Sequence, residues 1–441
     1  MMRELEAQLA GIVGEGGLQQ GGGSEYSVDG VVPGLVAFPE SAAQVAELVK
    51  VANANGLKVV PYGGGTAMGL GMTPERVDLV LSTKRLTDTP HDDRRDMTLS
   101  VGAGMTLSAL NARLAEDNLW LPLDPPDPER ATIGGLVAAD QSGPLRHGLG
   151  TLRDHVIGMK VISAEGKLVA AGGRVVRNVA GYDMCKLHIG ALGTLGLLVE
   201  VSLKLAARPQ ANAIVLAKLS SVADAEPLIA AVLDSSLEPV LLELVSGTAC
   251  GAATAGLLPD GAVVAAGFAG NGQRVAWQAE AFAALVASQS LQLLASRSGN
   301  EAQTAREALA EVHGGDSADV VLVASVLSSQ VAELLTRAAA LSEPRGVAMG
   351  AASHAGKGLA RLFLRGEEQA LTEVTHAARE VVVERGGSLI VAKAPPKLKP
   401  LLNVWGAPAG DLAVLQAVRR TYDPNETLNA YRHATAVRGA A

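Results

Sequence analysis

Apolar positions at the start of the chain alternate between strand-like runs and a helical stripe. Residues 31–39 predict a strand and residues 40–55 predict a helix, with Gly56 as its C-terminal stop signal. The apolar positions of that helix fall on one face: Val45, Leu48, Val49 and Ala52. A second apolar run at 57–61 predicts a buried strand. Together these segments predict a β-α-β unit.

The same reading continues through the chain. It predicts strands at 77–81, 97–101 and 197–205, a helix at 107–118, and a hairpin of 155–162 with 167–171 that turns at Glu165 and Gly166. Between residues 210 and 394, apolar strands such as 213–217 and 262–266 alternate with alanine-rich helices such as 277–286. This alternation is typical of an antiparallel sheet covered by helices, so the fold class is α+β. A last helix is predicted at 411–420.

Boundaries follow from changes in composition. Residues 1–30 are polar and glycine-rich and predict a loose leader, residues 31–207 form the first domain, and Arg208-Pro209 marks its end. Residues 208–394 form a cap-like α+β domain, and residues 395–441 form a C-terminal segment that returns to the first domain. The length of 441 residues fits two or three domains.

Residues 61–71 are the most informative stretch, because five of these eleven residues are glycine and they follow a predicted strand. Glycine lets successive backbone N–H groups turn inward on an anion, and Thr66 adds a hydroxyl donor. The alternative is a flexible surface turn. Neither the Walker pattern nor the dinucleotide fingerprint is present, since Met68 stands where the third glycine of the fingerprint would be. The loop therefore predicts a phosphate site of another kind.

Composition excludes several classes of function. A net charge of −8 offers no footprint for nucleic acid, and 3% aromatic residues offer no platforms for stacking bases. Cys185 and Cys250 are too few for a disulfide framework or a cysteine-ligated iron–sulfur cluster within this chain. The N-terminus lacks the cationic and apolar pattern of a secretory signal, and no apolar run is long enough to span a bilayer. We expect a cytoplasmic protein, with contact to the inner face of a membrane only through partners.

Further motifs follow the glycine loop in a fixed order: a proline-rich stretch at 121–128, Thr132-Ile-Gly-Gly135, Asn178-Val-Ala-Gly-Tyr-Asp183 and Gly193-Thr-Leu-Gly196. This series resembles the FAD-binding domain of the vanillyl-alcohol-oxidase (PCMH-type) flavoproteins, over 31–207 and again over 399–432. Within that family the chain resembles the FAD-binding E subunits of bacterial glycolate oxidases. The residues that carry this likeness are Gly143-Pro-Leu-Arg146, residues 172–183 and Asn403-Val-Trp-Gly-Ala-Pro408.

The resemblance implies which residues hold FAD. The first loop would bind the pyrophosphate, the middle motifs would wrap the flavin and ribityl chain, and the last motif would lie against the adenine. The implied cofactor-binding residues are Pro61, Gly63, Gly64, Gly65, Thr66, Gly69, Leu70, Pro126, Asp127, Thr132, Ile133, Gly134, Gly135, Gly143, Asn178, Val179, Gly181, Tyr182, Asp183, Gly193, Gly196, Leu197 and Leu198. Some relatives attach flavin covalently through a histidine beside the glycines. Because this chain has no histidine between residues 61 and 71, we expect non-covalent FAD. The alternative for Tyr182 and Asp183 is packing and capping.

A substrate metal site is not expected. Relatives that oxidise 2-hydroxy acids carry a His-x-Gly-x-Gly-x-x-His motif and a later Gly-Glu-His-Gly, which hold a divalent cation and a catalytic base. This chain keeps His354, but Arg361 replaces the second histidine, and Ala392 and Lys393 replace the Glu-His pair. Cationic side chains repel a metal ion, so His354 is interpreted as a leftover or surface histidine. The catalytic residues stay unknown, and His147 is a candidate to tune the flavin or a structural histidine.

The resemblance also implies partners. Relatives of the E-subunit type work with a catalytic FAD subunit and an iron–sulfur subunit, so the leading hypothesis is a FAD-binding subunit of a glycolate (2-hydroxy acid) oxidoreductase complex. The alternatives are a self-sufficient FAD-dependent 2-hydroxy-acid dehydrogenase and an assembly scaffold without FAD. Relatives often end in Asn-Pro-Gly where this chain has Asn429-Ala-Tyr431. No flavin contact is therefore expected from this tail.

Overall fold

The computed structural model describes residues 2–21, 25–174, 182–247, 261–406 and 412–432. In the first half, the helices are α1 (Met2–Val13), α2 (Ala42–Ala54), α3 (Leu107–Ala115), α4 (Ile133–Ala139), α5 (Arg146–Leu149), α6 (Leu152–His155) and α7 (Cys185–His188). The strands of this half are β1 (Leu18–Gln20), β2 (Leu35–Ala37), β3 (Val59–Tyr62), β4 (Leu79–Ser82), β5 (His91–Asp93), β6 (Thr98–Gly102), β7 (Leu119–Trp120), β8 (Val156–Ile162), β9 (Leu168–Gly172), β10 (Leu197–Lys204) and β11 (Ala206–Ala207).

The second half has longer elements. Its helices are α8 (Ala225–Leu233), α9 (Gly272–Ser288), α10 (Gly299–Val312), α11 (Val331–Ser342), α12 (Glu368–Val383), α13 (Lys399–Leu402) and α14 (Leu412–Tyr422). Its strands are β12 (Ala211–Leu219), β13 (Leu241–Gly247), β14 (Ala262–Gly270), β15 (Gln292–Ser298), β16 (Val320–Ser325), β17 (Ala348–His354), β18 (Leu359–Arg365) and β19 (Ser388–Lys393).

The first half holds two larger sheets and a two-stranded sheet formed by β7 and β11. One has the order β1-β2-β4-β3, in which β2 and β3 pair in parallel with β4. The other is an antiparallel sheet of order β5-β6-β10-β8-β9. The β-α-β unit forms as predicted, because Ser41 caps α2 through its side chain and the apolar stripe of α2 is buried.

The second half is built on one antiparallel sheet of order β15-β12-β14-β13-β17-β18-β16-β19. Apolar residues of α8, α9, α11 and α12 cover one face of this sheet, and those of α10 lie on the other face. Side chains alternate between the two faces along each strand. This arrangement confirms the predicted α+β class.

The C-terminal segment crosses back to the first half. Backbone N–H groups of Val59 and Asn429 donate to Thr427 and Val59 carbonyl groups, so this segment runs beside β3. The C-terminal segment therefore packs against the first half of the chain.

The start of the chain differs from the prediction of a loose leader. Residues of α1 form a helix whose Leu9 and Val13 are buried against α2, and Tyr26 and Val28 are buried in another cluster. The glycines and glutamines that follow this segment are typical of a linker, so the sequence pattern did not predict the short amphipathic helix α1. None of the helices in the described part of the chain is long and apolar enough to cross a membrane.

Candidate functional site

The glycine loop that follows β3 forms one wall of a cavity. The opposite wall comes from α4 and from the segment before β10, and Asn429 and Arg432 of the returning C-terminal segment close it. Most lining residues are small or apolar, as expected for a site that admits backbone approach to a large ligand. The predicted residues that line this cavity are Pro61, Gly63, Gly64, Gly65, Thr66, Leu70, Gly134, Gly135, Gly193, Leu197 and Leu198.

Two glycines of the loop are required by packing within the protein. A Cβ atom on Gly64 would lie 1.6 Å from the carbonyl oxygen of Arg130, and one on Gly63 would lie 2.2 Å from Oγ1 of Thr132. Gly65 also has a φ of +80°, which disfavours a side chain. By contrast, a Cβ on Gly69 would meet its nearest atom, the carbonyl oxygen of Ala392, only at 3.8 Å. The loop therefore gains its shape from close contact with the 127–132 segment.

A buried cluster of charged side chains hydrogen-bonds to the backbone at the C-terminal end of the glycine loop. Nζ of Lys399 donates to Oδ2 of Asp29 at 2.5 Å and to the carbonyl oxygens of Gly69 and Gly71 at 2.7 and 2.9 Å. The Arg432 guanidinium donates to the same carboxylate at 3.0 Å and to the backbone of the loop at Met68 and Met72. The Lys399 side chain has no exposed surface, and burial lowers its pKa to about 8. This cluster ties the glycine loop to the C-terminal segment.

The cavity carries an acceptor that the protein itself does not satisfy. Oδ1 of Asn429 is buried and has no hydrogen-bond partner, whereas its Nδ2 donates to the carbonyl oxygen of Leu192. Buried polar atoms are normally paired, so this atom fits a ligand donor. Together with the glycine loop and the mostly small or apolar lining, it fits a cofactor such as FAD.

A second cavity of about 350 Å³ adjoins the first at the glycine loop. The two share Gly65, Thr66, Ala67, Leu70 and Ala139. The far wall of the second cavity is the cap face that carries α10, and it presents Arg361, Lys393 and His313. Gly69, Pro126 and Asp127 of the predicted set line this second cavity.

A carboxylate between two imidazoles lies in the cap sheet. Glu243 of β13 pairs directly with His354 of β17, and its two oxygens lie 2.7 Å from Nδ1 of His354 and 2.8 Å from Nε2 of His313. The two imidazole rings stack, with their centroids 4.3 Å apart. All three residues are buried. The interpretation of His354 as a surface histidine is therefore wrong, because it is buried and hydrogen-bonded to Glu243.

Burial and nearby guanidinium groups disfavour protonation of the two histidines of this cluster. Burial, and then the Arg146 and Arg361 guanidinium groups, hold the pKa of His354 well below its usual range. Burial and the neighbouring His354 lower the pKa of His313 to about 4. Burial raises the pKa of Glu243. The imidazoles are neutral at pH 7.

The metal implied by the family resemblance does not fit these residues. Ligand atoms of Glu243, His313 and His354 lie within 4.8 Å of one another. A divalent cation there, however, would break both hydrogen bonds of the carboxylate and would face Arg361, whose guanidinium is positive at neutral pH. The positions at which the relatives place further ligands hold Arg361, Ala392 and Lys393, which line the second cavity.

Other predicted residues lie outside both cavities. Thr132 and Ile133 are buried behind the first wall, where the Thr132 hydroxyl accepts a hydrogen bond from the Gly135 backbone. Gly143 packs against Asp124, and Gly196 packs against β8. Their assignment to FAD stays a prediction.

The motif at 178–183 is placed only in part. Tyr182 is 95% exposed, and Asp183 caps the turn at Cys185 through a 3.1 Å hydrogen bond. This placement agrees with the capping alternative for Asp183. Asn178, Val179 and Gly181 lie outside the described residues.

Sequence reasoning missed several residues of the site. The departure from Asn-Pro-Gly led to the expectation that the tail makes no flavin contact, yet Asn429 and Arg432 line the first cavity. Glu243 and His313 were not singled out, because strand pairing rather than sequence spacing brings them to His354. The glutamate in an otherwise apolar strand at 241–245 was the available signal. His147 lines another cleft with Lys357 and is not among the residues that line the two joined cavities.

Comparison with known families agrees with this geometry. Residues 33–172 match the family described as "FAD binding domain", and residues 208–432 match "FAD linked oxidases, C-terminal domain". The second match covers just over half of the chain. These matches confirm FAD as the cofactor.

Curated relatives match over part of their length. The chain is 34% identical over 215 residues to the mitochondrial D-lactate dehydrogenase [cytochrome] of Arabidopsis thaliana, covering 48% of this chain and 37% of the relative. It is 28% identical over 212 residues to glycolate oxidase subunit GlcD of Bacillus subtilis (strain 168), covering 48% and 45%. It is 36% identical over 189 residues to the D-2-hydroxyglutarate dehydrogenase of Xanthomonas citri pv. viticola, covering 43% and 40%. The alignments span less than half of each relative.

Solved structures share the fold over almost the whole chain. p-Cresol methylhydroxylase with substrate bound superposes with a TM-score of 0.77 at 14% identity, covering 99% of this chain and 97% of that one. Alkyldihydroxyacetonephosphate synthase gives a TM-score of 0.73 at 19% identity, covering 96% and 84%. These likenesses concern the fold alone. By its matched families and its architecture, the chain belongs to the FAD-linked oxidases, with an FAD-binding domain of the vanillyl-alcohol-oxidase (PCMH) type.

Proposed function

We propose that this chain is the FAD-binding subunit of an oxidoreductase complex that oxidises glycolate or a related 2-hydroxy acid. The observation that carries the proposal is the joined pair of cavities at the glycine loop, in which the outer cavity has Arg361, Ala392 and Lys393 in place of metal ligands. The names of the curated relatives, which act on D-lactate, glycolate and D-2-hydroxyglutarate, support the substrate class.

Bound FAD supplies the two-electron acceptor chemistry. The chain itself holds the cofactor non-covalently through the glycine loop, α4 and Asn429. Lys399 and Asp29 keep the loop in place from behind. Without the metal site of its relatives, the chain works beside a catalytic FAD subunit and an iron–sulfur subunit, in the cytoplasm or through its partners at the inner face of the membrane.

The cap domain offers a surface for these partners. Trp277 on α9 is 49% exposed and Leu233 at the end of α8 is 46% exposed, and these two helices pack against each other. Large exposed aromatic and aliphatic side chains on neighbouring helices are typical of the apolar centre of a protein interface.

Affinity purification at native expression level tests the proposal. We expect the chain to emerge with a second flavoprotein and a cysteine-rich iron–sulfur protein, and we expect deletion of its gene to abolish glycolate oxidation in cells. A protein that emerges alone, together with unchanged glycolate oxidation after the deletion, would overturn the subunit role.

A second candidate, a self-sufficient 2-hydroxy-acid dehydrogenase, is favoured by one observation: the outer cavity is large enough for a small acid and adjoins the FAD cavity. Rapid mixing of the FAD-loaded chain with glycolate or D-lactate distinguishes the two. Bleaching of the flavin absorbance by either acid in the absence of partners would favour the self-sufficient enzyme. An isolated chain that lacks any flavin spectrum would instead favour an assembly scaffold.

A further inference from the structure

We propose that the outer cavity binds a small organic carboxylate directly on the Arg361 guanidinium, assisted by Lys393, without a metal ion. The proposal deepens the proposed function and rests on it, since it names the ligand class and its anchor in the cavity beside FAD.

The first step is the unpaired charge of Arg361. It lies on β18 two residues before Phe363, so it faces the α10 side of the cap sheet, where it lines the cavity. Its guanidinium has no hydrogen-bond acceptor and no carboxylate partner among the described residues, and the side chain is half-buried. Burial and the neighbouring Arg146 lower its pKa to about 10, which leaves it positive at neutral pH. A half-buried guanidinium without a partner attracts an anion, so an anion in the cavity would stabilise it.

The second step concerns the other charges of the cavity. Nζ of Lys393 donates only to the carbonyl oxygens of Gly315 and Asp316, at 3.2 and 3.1 Å, and so keeps its charge uncompensated. Arg130, in contrast, already pairs with Asp127 at 3.1 Å. Glu311 and Asp316 are exposed at the rim. Asp140 also lines the cavity, and its Oδ1 is buried without a hydrogen-bond partner. Arg361 and Lys393 therefore form a positive wall on the cap side of the cavity, and the rim is acidic.

The third step is the buried carboxylate near Arg361. Among the described residues Glu243 makes no hydrogen bond to the guanidinium, because both of its oxygens are used by His313 and His354. These histidines are neutral. Among the described residues, Glu243 is the only buried carboxylate on this face of the cap sheet, and both histidines hydrogen-bond to it. The arrangement leaves Arg361 free for a ligand.

The fourth step is the class of ligand. The planar fork of a guanidinium matches the two oxygens of a carboxylate. A volume of about 350 Å³ admits an acid of a few carbon atoms, and the shared wall at Thr66 and Leu70 would place that acid against the cofactor. A small carboxylate suits the positive wall on the cap side of this cavity.

The experiment uses the full chain loaded with FAD and dialysed against EDTA, and oxalate serves as an unreactive probe the size of glycolate. Titration is followed by the change in flavin absorbance and by calorimetry. We expect saturable binding that EDTA does not remove. We expect inorganic phosphate to bind at least about tenfold more weakly.

The variants isolate the anchor. Arg361→Met should weaken oxalate binding roughly 10- to 100-fold, as expected for the loss of a charged hydrogen-bonding partner. Arg361→Lys should retain part of the affinity, and Lys393→Met should weaken binding less than Arg361→Met. Arg365→Met is the matched control, because it makes the same change on the same strand outside the cavity, where Arg365 donates to Ser317.

The outcomes separate this inference from the proposed function. A folded chain that binds no FAD overturns the proposed function and with it the ligand site beside FAD. A chain that binds FAD but no oxalate, or an Arg361→Met variant with unchanged affinity, overturns the carboxylate site alone. Oxalate binding that disappears with EDTA and returns with zinc or manganese shows a metal-mediated site and also overturns it. If Arg361→Met does not fold, Arg361→Lys and Lys393→Met decide, and unchanged affinity in both contradicts the proposal.

Discussion

Gly64 illustrates how one position decides the shape of the cofactor loop. The need for backbone N–H groups to approach a phosphate predicts glycine at this position. The structure gives another reason, because φ is not positive at Gly64 and the carbonyl oxygen of Arg130 occupies the space of a Cβ atom. Binding of FAD and packing of the loop are therefore linked at this residue.

This link predicts a contrast between two glycines of the loop. Gly64→Ala should lower the free energy of unfolding by about 1–3 kcal/mol and reduce FAD occupancy, because the loop must move away from Arg130. Gly69→Ala should change stability by less than about 0.5 kcal/mol, because its Cβ would have ordinary contacts. The flavin-to-protein absorbance ratio and denaturant unfolding measure both effects. Equal FAD occupancy in the two variants would contradict the packing argument.

At the same scale, His313 predicts a dependence of stability on pH. Its pKa is lowered to about 4 in the folded state from 6.5, so between these values the unfolded chain binds a proton that the folded chain does not. Stability from this group is present above pH 6.5 and is lost as the pH falls towards 4, by at most about 1.4 kcal/mol per pH unit. Relative to His313→Gln, the native protein should therefore lose stability on acidification. Urea unfolding at pH 7, 6 and 5 tests this, and a constant difference across the series would disprove it.

At the scale of elements, sequence pattern predicted what local periodicity determines. The helix at 40–55, the hairpin with its turn at Glu165 and Gly166, and the long helix around Trp277 all form. The amphipathic α1 was missed because flanking glycines resembled a linker. Residues that meet through strand pairing, such as Glu243 with His354, could not be found from spacing, since 111 positions separate them. The returning tail was predicted, but its contact with the FAD cavity through Asn429 depends on tertiary packing.

The contact between α13 and the glycine loop gives a prediction at this scale. Lys399→Met should lower the free energy of unfolding by about 3–5 kcal/mol, because it leaves two loop carbonyl groups without their buried donor and leaves Asp29 paired with Arg432 alone. Lys397→Met, two residues earlier, removes only an exposed pair with Glu368 and should cost about 0–1 kcal/mol. Thermal and urea unfolding of both variants measure the difference, and FAD occupancy should fall only for Lys399→Met. Similar losses in both variants would show that the cluster does not support the loop.

At the scale of the whole molecule, two joined cavities lie between the glycine loop of the first half and the cap sheet of the second half. The proposed subunit role requires a surface at which a partner contacts this chain. We propose α8 and α9 for that surface, because Leu233 and Trp277 are 46% and 49% exposed there.

The assembly prediction is specific to this surface. Trp277→Glu should abolish or strongly reduce recovery of the flavoprotein and iron–sulfur partners, because a charge at the centre of an apolar interface is desolvated without a counter-charge. Val383→Glu is the matched control, since Val383 on α12 is similarly exposed at 51% but lies outside α8 and α9. Both variants should keep their FAD, since neither residue lines the cofactor cavity. Co-purification from cells that express each variant at native level gives the readout. If Trp277→Glu recovers the partners as fully as the native chain while Val383→Glu does not, the interface lies on α12 and the assignment to α8 and α9 is wrong.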